Sequence, residues 1–272
     1  MRCRDERIKS RLVQAGRLWL FLDYDGTLAD FAETPDQIEV HPEVVGLLTR
    51  LVQLPGVKVS VISGRRLDHL RKLVPVPGVL LAGTYGIECQ SFEGEDIQRL
   101  EFESFRPVLE KLKPQLEILI AGKEGFYLED KGWSLALHAR YAEDEESDKV
   151  LQSAQQILRQ ENTNESFLLL GGHRFLEICP AAGNKGATVK YLLARYPWPG
   201  AQLAYLGDDD KDEDAFHVIG EHGGVSIRIG PDERETLAEC RLDNPDEARR
   251  WLDTLIQRRE VDSSGGSVKQ RS

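Results

Sequence analysis

Residues 18–28 are LWLFLDYDGTL, and this stretch decides the fold of the chain. Its first five residues are continuously apolar, which is typical of a β-strand buried on both faces of a parallel sheet. Asp23 and Asp25 follow at once, at the carboxyl end of the strand, where α/β sheets place their ligands. One carboxylate could attack phosphorus and the other could move a proton. A polar turn with Asp25-Gly26 at its corner is the structural alternative.

Two βαβ patterns predict the sheet to which this strand belongs. Pro42 opens an amphipathic helical pattern, and a strand-like run over residues 57–62 follows it. A second unit lies near the other end of the chain, where a helical pattern over 185–196 precedes strands over 201–206 and 225–229. Two strands with an intervening helix imply parallel pairing and a right-handed crossover. The sequence therefore predicts an α/β core with a Rossmann-like parallel sheet.

The pattern changes between the two units, where helix-like and strand-like stretches are interleaved. This change indicates an inserted α+β cap domain. We expect the core to comprise residues 1–88 and 180–258, and the cap domain to comprise residues 89–179. Residues 259–272 contain Ser, Gly, Lys and Arg without apolar anchors, and we expect a disordered tail there.

The composition excludes several classes of function. The chain of 272 residues has a formal net charge of −11, so it offers no basic surface for nucleic acid or for an anionic membrane. No apolar run near the start is long enough to span a membrane, and the four cysteines form no C-x-x-C pair. We therefore expect a cytoplasmic protein with reduced thiols, and nothing in the sequence predicts a protein partner.

Two further segments could bind a phosphate group. Ser63-Gly64-Arg65 ends the second predicted strand, where a hydroxyl and a backbone N–H beside a helix start could hold a phosphate oxygen. Lys185 opens the helix of the second βαβ unit and could direct its charge toward the same edge of the sheet. A helix N-cap at Ser63 and a solvated lysine at 185 are the structural alternatives.

An acidic loop follows the strand predicted over residues 201–206. Its sequence is GDDDKDED, from Gly207 to Asp214. Asp208 thus lies at a strand end, as Asp23 does, and carboxylate oxygens from separate strand ends suit an octahedral Mg²⁺ site. Unpaired carboxylates that converge there would repel one another, and a divalent cation relieves that repulsion. A solvated acidic loop is the alternative interpretation.

Together, four features of the chain resemble the motifs of the haloacid dehalogenase superfamily of aspartate-nucleophile phosphatases. They are D-x-D-G-T-L, S-G-R, the lysine before the last βαβ half and G-D-D-x-x-D. The resemblance extends from Leu18 to Ile256. Within that superfamily, residues 129–140, 174–186 and 207–216 are similar to the trehalose-6-phosphate phosphatase family. Tyr85 is a departure, because that family often has a histidine at this position.

The resemblance implies a Mg²⁺-dependent phosphatase that forms an aspartyl-phosphate on Asp23. Asp25 would protonate the leaving oxygen and later activate water, and Lys185 would hold the phosphoryl group. The implied metal ligands are the carboxylates of Asp23 and Asp208 and the backbone carbonyl of Asp25. The implied phosphate-binding residues of the core are Ser63, Gly64 and Arg65.

The cap domain would close over the core, and its polar side chains would recognise the sugar. The candidates are Lys131, His138, Arg140 and Glu177. The favoured substrate is trehalose 6-phosphate, which would yield trehalose and phosphate. Another sugar phosphate, a glycosyl-phosphoglycerate, a phosphomutase reaction and a non-catalytic sugar-phosphate sensor are the alternatives. The sequence leaves open whether Asp209 or Asp212 contacts the metal.

Overall fold

The structure is a computed structural model that describes residues 6–31, 39–161, 166–172, 174–231 and 234–266. The chain forms two compact units, of which one comprises residues 1–97 and 184–272 and the other residues 98–183. In chain order the helices and strands are α1 (Glu6–Gln14), β1 (Leu18–Leu22), α2 (Pro42–Gln53), β2 (Val57–Ile62), α3 (Leu67–Leu73), β3 (Val79–Gly83), β4 (Glu88–Gln90), β5 (Asp96–Gln98), α4 (Phe102–Ile120), β6 (Tyr127–Asp130), β7 (Leu135–His138), α5 (Asp144–Glu161), β8 (Phe167–Gly172), β9 (Phe175–Pro180), α6 (Lys185–Arg195), β10 (Gln202–Gly207), α7 (Glu213–Glu221), β11 (Val225–Ile229), β12 (Cys240–Leu242) and α8 (Pro245–Gly266).

The core unit contains an eight-stranded sheet in the order β12-β11-β10-β1-β2-β3-β4-β5. Neighbouring strands from β12 to β3 are parallel, whereas β4 is antiparallel to β3. β1 is buried along its whole length, with Leu20 in one hydrophobic cluster and Trp19 and Phe21 in another. Burial on both faces explains why the run is continuously apolar. The predicted α/β fold with a parallel sheet is confirmed.

The register of the parallel strands brings three loops to one edge of the sheet. Leu22, the last residue of β1, pairs with Leu206 of β10 and with Val61 of β2. The loops that follow these three strands contain Asp23, Asp208 and Ser63. The sheet itself therefore places the predicted catalytic motifs side by side.

The inserted unit is an antiparallel sheet in the order β6-β7-β9-β8 with two helices, α4 and α5. Leu112 of α4 and Ala154 of α5 share a hydrophobic cluster with Leu135, Leu137 and Ile178 of the sheet. The unit is thus of the α+β type, as the interleaved helix and strand patterns indicated.

Both predicted borders of the cap domain need correction. Residue 89 lies in β4, which pairs with β3 and so extends the core sheet; the inserted unit begins at Gln98. At the other border β9 continues to Pro180, which pairs with Phe167, and the insert ends at Gly183 rather than at residue 179. Strands of three residues, such as β4, carry too little pattern to be predicted from sequence.

The prediction of a disordered tail from residue 259 is wrong for residues 259–266, which continue α8. Arg259 is buried, and its guanidinium donates hydrogen bonds to the carbonyl oxygens of Leu12, Val13 and Ala15. These contacts satisfy carbonyl groups at the end of α1 and anchor α8 there. Residues 267–272 of the predicted tail lie outside the described residues.

The cysteines differ in part from the expectation of reduced thiols. Cys89 and Cys179 are free and buried, whereas Cys240 is disulfide-bonded, so the prediction is wrong for Cys240. Within the described part of the chain, no helix combines the length and the apolar character that crossing a membrane requires.

Candidate active site

Asp23 occupies the first position after β1, and its carboxylate is almost completely buried. Its backbone N–H donates to the carbonyl of Leu206 at 2.9 Å, which continues the sheet pairing by one residue. Lys185 Nζ lies 2.9 Å from Asp23 Oδ1, and the Thr27 hydroxyl donates to Oδ2 at 3.1 Å. One carboxylate oxygen is therefore paired with a cation and the other with a hydroxyl.

The loop after Asp23 turns back tightly on itself. The N–H groups of Leu28 and Ala29 donate to the carbonyl of Tyr24, and the N–H of Gly26 donates to the carbonyl of Ala29. Gly26 has a φ of +79°, and a Cβ at this position would lie 2.3 Å from Asp208 Oδ2. Only glycine permits both this backbone conformation and this close approach to the carboxylate.

Asp208 follows β10 and converges on Asp23. Thr27 Oγ1 is 3.3 Å from Asp208 Oδ1, so one hydroxyl lies between the two carboxylates. Burial, together with repulsion from Asp23, Asp212 and Asp209, raises the pKa of Asp208 to about 10. Burial also raises the pKa of Asp23, although Lys185 opposes that shift. The site therefore concentrates more negative charge than its own cations neutralise.

Asp212 is fully buried and organises the acidic loop. Its Oδ2 accepts hydrogen bonds from the backbone N–H groups of Asp208 and Asp209, at 3.0 and 3.1 Å. Its Oδ1 accepts from Tyr205 Oη at 2.7 Å and from Lys185 Nζ at 2.6 Å. A Cβ at Gly207 would lie 2.3 Å from Asp212 Cγ, so the loop can close in this way only over a glycine.

Lys185 is held at the beginning of α6, where the Asn184 side chain caps the helix by accepting from the N–H of Ala187 at 2.8 Å. Burial alone would lower the pKa of Lys185, but Asp212 and Asp23 more than offset that effect and raise it well above its ordinary value. Lys185 is thus a fixed, buried cation between two carboxylates, and its solvated-surface alternative does not apply.

Asp25 and Arg65 form a two-point ion pair. Arg65 Nε donates to Asp25 Oδ2 and Arg65 Nη2 donates to Oδ1, both at 2.7 Å. The Arg65 side chain is therefore bound to Asp25 rather than directed only at a substrate phosphate. The neighbouring Ser63 is buried, and its hydroxyl accepts from the N–H of Arg65 at 3.1 Å.

Three carboxylates of the core could hold a metal ion: oxygen atoms of Asp23, Asp208 and Asp212 lie within 4.8 Å of one another. Their convergence and the raised pKa of Asp208 fit a divalent cation. Such an ion needs oxygen ligands, and its positive charge would offset the repulsion between the carboxylates. Asp212 already accepts four hydrogen bonds, which suits a supporting role. The carboxylate of Asp25 lies outside this group. The backbone carbonyl of Asp25, which the resemblance implies as a ligand, is therefore the group that this residue could offer to the metal.

Asp209 has a structural role in the loop. Its side chain caps the short 3₁₀ helix Asp210–Asp212 by accepting from the N–H of Lys211 at 2.9 Å, and Lys211 Nζ lies 3.3 Å from its carboxylate. The structure thus separates two acids that the sequence did not distinguish, since the carboxylate of Asp212 converges on Asp23 and Asp208 and that of Asp209 is not in this group.

The four predicted sugar-binding residues lie in the inserted unit, where the structure pairs two of them. Lys131 Nζ is 3.1 Å from Glu177 Oε2, and both side chains are buried. Ser134 adds a hydrogen bond to Glu177 at 2.6 Å. His138 Nε2 lies 3.0 Å from Glu129 Oε2. Arg140 is exposed in the turn that follows β7.

Sequence patterns alone did not single out Thr27 or Tyr205, although both contact the central carboxylates. The signal for Thr27 was present in the segment DYDGTL, where a hydroxyl follows the two acids at close spacing. Tyr205 carried no such signal, since it lies within an apolar strand. It contacts Asp212 because the chain turns back after β10.

Comparison with known proteins gives a consistent result. The family model for Trehalose-phosphatase matches residues 21–246. A probable trehalose-phosphate phosphatase of Sinorhizobium fredii is 34% identical over 212 residues, which cover 78% of this chain and 77% of that protein. In fold, the chain is similar to the trehalose-6-phosphate phosphatase C-terminal domain of C. albicans, with a TM-score of 0.83, 22% identity and coverage of 94% and 97% of the two chains. A haloacid dehalogenase-like hydrolase from Bacteroides thetaiotaomicron shares the fold with a TM-score of 0.60, 15% identity and coverage of 88% and 99%.

Proposed function

We propose that this chain, which belongs to the trehalose-phosphatase family and is a phosphoric monoester hydrolase, hydrolyses trehalose 6-phosphate to trehalose and phosphate through an aspartyl-phosphate on Asp23. The observation that carries the proposal is the placement of the Asp23 carboxylate at the end of β1, 2.9 Å from Lys185 and beside Asp208. The names of the family and of the relative support the substrate.

In the first step an oxygen of Asp23 bonds to phosphorus while the bond from phosphorus to the sugar oxygen breaks. Asp25, two residues further along the same loop, donates a proton to the departing oxygen. In the second step water attacks the phosphorus of the aspartyl-phosphate and Asp25 takes one proton of that water. The bond between phosphorus and the Asp23 oxygen breaks, which releases phosphate and restores the Asp23 carboxylate.

Lys185 and Ser63 would bind phosphoryl oxygens, with backbone N–H groups of residues 24–27 and of Gly64 as further donors. Asp23, Asp208 and the Asp25 carbonyl would hold a Mg²⁺ ion, whose positive charge would offset the repulsion between the phosphate and the acidic site. Thr27 would keep Asp23 and Asp208 at the spacing that the ion requires.

In the inserted unit, we propose that Lys131, His138, Arg140 and Glu177 recognise the sugar. The buried pair of Lys131 and Glu177 supports this role, because a preorganised ammonium can donate a hydrogen bond to a sugar hydroxyl and a preorganised carboxylate can accept one. We further expect the enzyme to act in the cytoplasm on a small molecule, without nucleic-acid, membrane or protein partners, in keeping with its net charge of −11.

The test is phosphate release from a panel of sugar phosphates, including trehalose 6-phosphate and a glycosyl-phosphoglycerate, with Mg²⁺ or with a chelator. Wild type, Asp23→Asn and Asp210→Asn are compared; Asp210 is an exposed residue of the same acidic loop. Selective, metal-dependent release that is lost only in Asp23→Asn supports the proposal. Release from no compound, or equal release by Asp23→Asn, contradicts it, and transfer of phosphate to another sugar position identifies a phosphomutase.

A further inference from the structure

The turn that follows β3 contains two successive residues with left-handed backbone, Thr84 with a φ of 47° and Tyr85 with a φ of 56°. Neither is glycine, and Thr84 is β-branched, so both conformations are sterically disfavoured. Both residues are buried. Backbone outliers of this kind persist only where the surrounding structure holds them, and they concentrate at functional sites.

The turn is held by the loop that carries Arg65. The N–H of Thr84 donates to the carbonyl of Arg65 at 2.7 Å, and the N–H of Tyr85 donates to the carbonyl of Ser63 at 2.8 Å. From the opposite direction, Thr188 of α6 donates its hydroxyl to the carbonyl of Tyr85 at 2.6 Å. Backbone hydrogen bonds thus join the turn to the Ser63-Gly64-Arg65 loop and to the helix that begins with Lys185.

The ring of Tyr85 makes two further contacts. A Cβ at Gly64 would lie 2.8 Å from two ring carbons and from the phenol oxygen of Tyr85, so this edge of the side chain packs directly against the backbone of Gly64. Lys211 Nζ lies 5.8 Å from the ring centroid, within the range of a cation–π contact, and the same ammonium pairs with Asp209. The ring therefore lies between the loop of Arg65 and the acidic loop.

Resting on the proposed function, we infer that Tyr85 is a positioning residue for the phosphoryl transfer. Through its backbone and ring it fixes the two loops that carry Ser63 and Asp209 and the helix that begins with Lys185. Through the loop of Arg65 it fixes the Asp25 carboxylate. Tyr85 acts on the reaction only through these neighbours. Removal of the ring leaves a space beside Gly64, into which the loop of Arg65 can relax, and Asp25 then loses its fixed orientation.

The experiment uses turnover of p-nitrophenyl phosphate, which reports phosphoryl transfer independently of the sugar specificity. We expect Tyr85→Ala to lower kcat by about 10- to 100-fold, and Tyr85→Phe, which keeps the ring, to stay within about threefold of wild type. Because Tyr85 acts through Arg65, Tyr85→Ala should lower kcat far less in an Arg65→Ala background than in the wild-type background. General destabilisation of the protein would not produce this coupling. Tyr85→Leu replaces Tyr85→Ala if the latter does not fold.

Wild-type kcat in Tyr85→Ala, or equal fold losses in the two backgrounds, overturns the inference while leaving the proposed function intact. Absence of Asp23-dependent turnover in the wild-type protein would instead contradict the proposed function.

Discussion

Arg65 holds the Asp25 carboxylate by two parallel hydrogen bonds, from Nε and from Nη2, each of 2.7 Å. A guanidinium makes this paired contact through its planar fork, whereas an ammonium binds as a single point charge. The side chains of both partners are mostly buried, with 12% and 19% exposure, so solvent screens the pair little. The geometry fixes the plane of the carboxylate that we propose as the acid and base.

Arg65→Lys should therefore lower kcat by about tenfold with a smaller change in KM, because one of two orienting hydrogen bonds is lost while the charge remains. Steady-state kinetics with p-nitrophenyl phosphate measures the changes in kcat and in KM separately. Arg66→Lys is the matched control, since Arg66 is the adjacent, exposed arginine. An unchanged kcat in Arg65→Lys, or an equal loss in Arg66→Lys, would show that the bidentate pair does not matter for turnover.

Gly26→Ala should abolish most turnover, by about 100-fold or more, because the added Cβ must push Asp208 away from Asp23. Gly94→Ala separates the effect of the positive φ from that of the clash with Asp208. Gly94 has a similar φ of +90°, but its Cβ would meet no atom within 4 Å. Both variants should lose about 1–2 kcal/mol of stability from the left-handed conformation. Urea unfolding and phosphate release measure the two effects, and equal activity losses in both variants would count against the proposed spacing.

Lys185→Met should destabilise the protein by about 3–5 kcal/mol, because it leaves the buried carboxylates of Asp23 and Asp212 without their shared cation. Lys190→Met, on the same helix, removes a lysine whose ion pair with Glu221 is exposed, and its stability should change little. The free energy of unfolding in urea provides the comparison. Similar stability of the two variants would contradict the buried ion-pair arrangement.

The stability of the metal-free protein should fall as the pH rises from about 5 to 9. The pKa of Asp208 is raised from 3.8 to about 10 and that of Asp212 to about 7, with burial as the first cause. The folded state then binds more protons than the unfolded state in this window. The free energy of unfolding therefore decreases by up to about 1.4 kcal/mol per pH unit for each additional proton that the folded state binds. The raised pKa of Lys185 acts only above its ordinary value of 10.5 and does not oppose this trend.

Mg²⁺ should stabilise the protein more at pH 8 than at pH 6, because binding requires deprotonated carboxylates and releases protons. Thermal unfolding with EDTA or with MgCl₂ at both pH values measures the difference. Asp208→Asn should flatten the pH dependence, whereas Asp210→Asn, an exposed acid of the same loop, should keep it. A pH-independent melting temperature in EDTA would contradict the crowding of carboxylates in the fold.

Local patterns were sufficient to predict the core of the fold. The continuous apolar run of β1 indicated burial on both faces, and the parallel register then placed Asp23 beside Asp208 and Ser63. Lys185 was predicted from its position at a helix start, and its burial between Asp23 and Asp212 adds the physical reason. Position at a strand end or helix start was thus the informative signal.

Contacts between distant segments could not be predicted in the same way. The pairing of Asp25 with Arg65 joins two motifs that had been assigned separate tasks. The first cap border was placed too early because β4 and β5 have three residues each. Arg259 resembled part of a polar tail, since nothing in its local sequence reveals the carbonyl groups of α1 that it binds.

We propose that Asp23 carries the phosphoryl group during turnover. Asp25→Asn should form this intermediate from p-nitrophenyl phosphate, whose leaving group needs no proton, but should hydrolyse it slowly for lack of a base. The direct measurement is acid quenching of this variant with Mg²⁺, followed by peptide mass spectrometry. We predict one phosphoryl group on Asp23, which is absent when Asp23→Asn is added. A phosphoryl group on another residue, or none despite p-nitrophenol release, would contradict an aspartyl-phosphate on Asp23.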